Sequence, residues 1–115
     1  MTSEPAQPPI DYTRLRSQCG GDTELVEAVL ESYRSDGSQL LAAIAAARAA
    51  DDRDALARHA HSLKGLAAYL CADRLLCLSA WLEEEAEDAP AAMLADMAGE
   101  LEEAHRSLIA YLEAS

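Results

Sequence analysis

Residues 56–83 read LARHAHSLKGLAAYLCADRLLCLSAWLE. Wound as a helix at about 100° per residue, the part up to Leu70 sorts into two faces. With His61 set at zero, Leu56, Leu63, Leu66, Ala67 and Leu70 fall within about 60° of the opposite direction and form an apolar stripe. Ala57, Arg58, His61, Lys64, Gly65 and Ala68 fall within about 60° of the histidine itself. The histidine therefore points away from the core, among two cations and several residues with little or no side chain.

The flanking segments have the same helical character. On the N-terminal side, Asp22 is placed to cap a helix whose inner face runs Val26, Val29, Tyr33, Gly37, Leu40, Ile44 and Ala47. The steps of three and four pass through Asp36-Gly37-Ser38 unbroken, which predicts one helix to about Ala49. A glycine there costs ~1 kcal/mol against alanine, which close packing of a neighbouring helix would offset. A break into two helices at Gly37 is the alternative. Asp51 and Asp52 are placed to cap the histidine helix, predicted to end at Leu70 or Cys71. Asp73 opens a further helix, predicted to reach about Asp88. Pro90 suits the first turn of the last, expected from about Ala91 to Leu112, with Leu94, Met97, Leu101, Leu108 and Leu112 near one stripe. A short helix is expected from about Ile10 to Gln18, stopped by Gly20-Gly21. Residues 1–9 carry three of the four prolines and read as a disordered tail, leaving residues 10–115 as the domain.

Composition agrees with this pattern. Of 115 residues, 25 are Ala and 17 Leu, while Val, Ile and Thr together number eight and Phe is absent. Ala and Leu lose little freedom in a helix, and sheets favour the residues this chain avoids. The expected fold is all-α, an antiparallel up-and-down four-helix bundle with a short additional N-terminal helix. No run approaches the ~18 apolar residues of a membrane span, and the N-terminus lacks the plan of a signal peptide, so a soluble cytoplasmic protein is expected. The net charge of −12 argues against nucleic acid or an anionic membrane as partner. The acidity is uneven: residues 75–115 carry ten acids and one base, and residues 1–74 eleven acids and eight bases. The odd set Cys19, Cys71 and Cys77 has no C-x-x-C spacing and is expected to be small buried hydrophobes.

The outward face of the histidine helix has chemical content of its own. An exposed imidazole is largely neutral at neutral pH, so one ring nitrogen keeps a lone pair for a phosphoryl group. Lys64, one turn on, can reach oxygens attached to that nitrogen, and it is the only lysine in the chain. Gly65 and Ala68 leave room for a second protein to approach.

The hexapeptide Ala60-His61-Ser62-Leu63-Lys64-Gly65 resembles the phosphorylation motif of histidine-containing phosphotransfer (HPt) domains, the His-to-Asp relay modules of multistep two-component signalling. Ile10-Asp11, Gly21-Asp22 with Leu25, Leu40-Leu41 with Ile44, and Leu75, Ala80 and Leu82-Glu83 also fall where that family's pattern puts similar residues, so the likeness spans about residues 10–113. The resemblance implies that His61 accepts the phosphoryl group through Nε2 and that Lys64 contacts the phosphate. It also implies that Gly65, with Arg58 and Ala68 beside it, forms the docking face. Glu83, 22 positions after the histidine, stands where many members have a Gln or Glu that bonds Nδ1 and fixes the tautomer. Two departures stand out: Cys71 occupies a position that is often Gly, and Leu66 one that is often small.

The implied function is a phosphorelay intermediate that takes the group from a receiver aspartate and passes it to another response-regulator receiver. It would not be an enzyme with an ATP site. Its partners would be receiver domains and a hybrid sensor kinase, and the expected state is a monomer. No cofactor is expected on the chain, with Mg²⁺ supplied by the receiver. The Arg53, Arg58 and Lys64 side would complement the receiver's acidic pocket. An HPt-like interaction module that binds a kinase or receiver without phosphate turnover is the alternative. His59, about 160° from His61, reads as a structural, half-buried residue. His105, near Glu102 and Arg106, reads as solvated, and its single Glu-x-x-His pair is too little for a metal bundle.

Overall fold

The computed structural model describes residues 8–114, and the described residues form five helices and no strand. They are α1 (Tyr12–Gln18), α2 (Thr23–Ala49), α3 (Arg53–Leu70), α4 (Asp73–Glu85) and α5 (Ala91–Ala114). Apart from Pro8 and Pro9, the expected N-terminal tail lies outside the described residues. None of these helices is long and apolar enough to cross a membrane.

Local chemistry explains most boundaries. Asp11, Asp22 and Asp52 accept backbone N–H bonds at the starts of α1, α2 and α3, each meeting a donor the helix cannot satisfy internally. The two adjacent aspartates have different tasks. Asp52 caps α3, whereas Asp51 closes α2 in the left-handed region at φ 55°. Cys71 does the same for α3 at φ 59°, so the turn keeps the left-handed conformation that glycine favours. Ile10 lies just outside α1, which begins two residues later than expected, yet it is buried with Leu15.

Helix α4 ends at Glu85, three residues short of the expected end. Arg53 at the start of α3 accounts for the stop. Its Nη1 donates to the carbonyls of Ala86 (3.3 Å), Glu87 (3.4 Å) and Ala89 (2.6 Å), holding the α4–α5 connection in a turn. Arg53 also pairs with Asp51 at 3.3 Å and keeps 27% of its side chain exposed. Pro90 precedes α5 and offers its carbonyl to Met93 and Leu94 rather than occupying the first turn.

The core is built from the inner stripes. Helix α2 buries Val26, Val29, Tyr33, Gly37, Leu41, Ile44 and Ala47, with Leu41 taking the core position expected of Leu40. Helix α3 buries Leu56, Leu63, Ala67 and Leu70 but leaves Leu66 half-buried. It packs most extensively against α4 on one side and α2 on the other, and α5 packs against both α2 and α4. The α2 helix runs through Gly37 without a break. The glycine itself has a local reason: a Cβ built on Gly37 would fall 2.5 Å from Cζ of Tyr33, whose ring lies over the glycine. The close packing thus comes from α2 itself, not from the neighbouring helix expected there. Tyr33 in turn donates or accepts across to Nδ1 of His105 on α5 at 2.5 Å. His105 is therefore a half-buried structural residue and not a solvated one, and burial pushes its pKa down.

Candidate functional site

Each turn of α3 between Leu56 and Leu70 contributes an apolar residue to the core, and this fixes the rotation of the helix. Residues half a turn away are forced outward. His61 has 67% of its side chain open to solvent. Arg58, Gly65 and Ala68 are exposed around it, while Lys64 and Ala57 are partly covered on the α4 side. His59, two residues from His61, is half-buried as expected. A Cβ built at position 65 has nothing within 4 Å.

Helix α4 supplies the third member. Leu75, Leu78 and Leu82 anchor its inner face, and Glu83, the next residue, emerges at the edge facing α3. One oxygen, Oε2, lies 2.7 Å from Nδ1 of His61; the other, Oε1, lies 2.6 Å from Nζ of Lys64. The carboxylate therefore bridges the two residues, which are one turn apart on α3. Lys64 first, and His61 after it, hold the Glu83 carboxyl below the usual carboxylate range. A carboxylate facing Nδ1 favours the tautomer with its proton there. Nε2 is then the nitrogen with the free lone pair, and it has no bonded partner among the described residues.

Of the expected site residues, His61, Lys64, Gly65, Glu83, Arg58 and Ala68 all lie at this one patch. Two electrostatic details qualify the cations. Lys64 is committed to Glu83 at 2.6 Å, a contact that depends on how α4 packs, and Arg58 faces Asp54 at 3.7 Å, an i,i+4 pair that the spacing alone would have indicated. Of the cysteines, Cys19 and Cys71 are buried, but Cys77 is exposed on α4, contrary to expectation. No group of three or more His, Cys, Asp or Glu among the described residues is arranged to hold a metal ion.

The helical domain thus presents the His61 imidazole to solvent, with its Nδ1 held by a carboxylate from the adjacent helix. The family model described as Hpt domain matches residues 28–111, and the chain belongs to that family. Hpt domains are histidine phosphotransfer modules of phosphorelays. No curated protein and no solved structure matches the chain.

Proposed function

We propose that this chain is a phosphorelay intermediate in which His61 takes a phosphoryl group from the aspartyl phosphate of one receiver domain and gives it to the aspartate of another. The observation that carries this reading is the 2.7 Å contact between Nδ1 of His61 and Glu83 on an imidazole whose other nitrogen faces solvent. The lone pair on Nε2 attacks phosphorus, and the N–P bond forms as the bond from phosphorus to the aspartyl oxygen breaks. The carboxylate leaves with its electron pair. The proton stays on Nδ1, where the charge gained by the ring is offset by Glu83.

Lys64 has two partners in this scheme. Before transfer its ammonium rests on Glu83; afterwards it turns to the phosphoryl oxygens, one helical turn from its own backbone. Arg58, Gly65 and Ala68 form the surface on which the receiver lands. The receiver supplies Mg²⁺ and the acidic pocket, and the chain needs neither a cofactor nor an ATP site of its own. We read residues 10–115 as one cytoplasmic, monomeric domain, with α2 to α5 as an antiparallel up-and-down bundle and α1 appended. The short α2–α3, α3–α4 and α4–α5 connections support that arrangement. A hybrid sensor kinase would feed the first receiver.

The test is direct. Incubation with a receiver phosphorylated on aspartate, in the presence of Mg²⁺, should give acid-labile, base-stable phosphate on the chain, mapped to His61. A module that only binds would form the complex and gain no phosphate.

A further inference from the structure

Tyr69 is the most exposed large hydrophobic residue among the described residues, at 54% of its full accessibility. It stands eight residues beyond His61, about 12 Å along the α3 axis and about 80° around it. Between the two lie Gly65, which has no side chain, and Ala68, which is exposed and small. The patch is thus a shallow track. Its floor is His61, Gly65 and Ala68, its α4 rim is Lys64 with Glu83, and its opposite rim holds Arg58 and Tyr69. The Tyr69 hydroxyl and ring have no hydrogen-bond or aromatic partner among the described residues. The backbone at this turn is nevertheless fixed: its carbonyl accepts from Nε2 of Gln18 on α1 at 3.1 Å, and Cys71 closes the helix two residues later.

We propose that Tyr69 is the anchor that selects the receiver, a specificity residue that acts in docking and not in the transfer step. The inference rests on the phosphorelay reading. An interface of standard size covers about 800 Å² per partner, which as a disc centred on the reacting atoms has a radius of about 16 Å. Tyr69 falls inside that disc, beyond a stretch of helix too bare to offer a grip of its own. Aromatic side chains on rigid backbone contribute large contact area and lose little conformational freedom on binding, which is why tyrosine is enriched among residues that dominate interfaces. The partner surface is thereby specified: a receiver that carries an apolar side chain displaced by about 12 Å along the α3 axis from its phospho-aspartate, toward the C-terminal end of α3.

The experiment compares wild type, Tyr69→Ala and Tyr69→Phe as phosphate acceptors from a panel of receiver domains phosphorylated with acetyl phosphate and Mg²⁺. Transfer rate is measured against receiver concentration. For the receivers that wild type uses, Tyr69→Ala should raise the half-saturating concentration at least tenfold, keep the saturating rate within twofold, and melt no lower than wild type. Tyr69→Phe should restore most of the affinity. An unchanged half-saturating concentration in Tyr69→Ala overturns the proposal and leaves the relay reading standing. So does a loss confined to the saturating rate, or a change in self-association with transfer unaffected. A wild-type chain that accepts phosphate from no receiver overturns the relay reading and the proposal together.

Discussion

At the scale of single residues, the site separates stability from chemistry. His61 faces solvent and contributes nothing to the core, so His61→Gln should abolish phosphate acceptance while its thermal midpoint stays near wild type. His59→Gln, on the half-buried side, should retain acceptance; a dead His59 variant beside an active His61 variant would reverse the assignment of faces. Lys64→Ala should slow transfer or shorten the phosphohistidine lifetime without preventing receiver binding, since one charge-assisted contact is worth ~1.5–3 kcal/mol at most. Lys64→Arg should keep much of the function. Glu83 sets the acid limit of the network. Its pKa is lower folded than unfolded, so between the two values the unfolded chain binds more protons and stability rises with pH. The contribution is present above the unfolded value and disappears as pH falls through the folded one. Urea midpoints between pH 3 and 6 should therefore fall less steeply toward acid in Glu83→Gln than in wild type. Parallel limbs would show that the bridge contributes no stability.

Helices carry the next set of consequences, and glycine shows them most clearly. Gly37, Gly65 and Gly99 are all helical, where alanine is favoured by ~1 kcal/mol. Gly65 and Gly99 have open space around them, so alanine at either should raise the thermal midpoint. At Gly37 the same change drives a methyl group into the ring of Tyr33, which is fully buried and cannot swing aside. Gly37→Ala should lower the midpoint despite its better propensity, and a rise there would refute the packing explanation. Gly65→Gln should fold yet transfer poorly, because its side chain stands where the receiver must approach. The three-and-four spacing made the unbroken α2 helix legible in sequence, and the helical wheel made the outward position of His61 legible too. What neither could show is contact between distant segments. Arg53 finds its carbonyl partners more than thirty positions later, and His105 finds Tyr33 72 positions earlier. Periodicity reports which face a residue occupies and is silent on what the fold brings opposite it. Lys64 illustrates the same limit at the site: its outward direction could be read, but its pairing with Glu83 depended on how α4 packs.

For the molecule as a whole, charge is the dominant unbalanced quantity. With 21 acidic and nine permanently basic side chains, the acids outnumber the bases by twelve at neutral pH. Besides Lys64–Glu83, three ion pairs join helices, Arg14–Asp73 at 3.0 Å, Arg34–Glu113 at 3.1 Å and Arg74–Glu100 at 3.1 Å, and they are more exposed than that bridge. Pairs of that kind contribute about 0–1 kcal/mol each. The molecule measures 42 × 38 × 20 Å. The Debye length is about 30 Å at 0.01 M salt and about 8 Å at 0.15 M, so repulsion spans the whole protein at low ionic strength and only near neighbours at the higher one. Screening therefore removes more repulsion than attraction. The urea midpoint should rise between 0.01 M and 0.3 M NaCl at pH 7, with urea chosen because it adds no ions. A midpoint that falls with salt would show that the cross-helix pairs outweigh the net charge. Arg74→Ala and Arg34→Ala would then be the variants to lose that salt sensitivity, since each removes one of the pairs being screened.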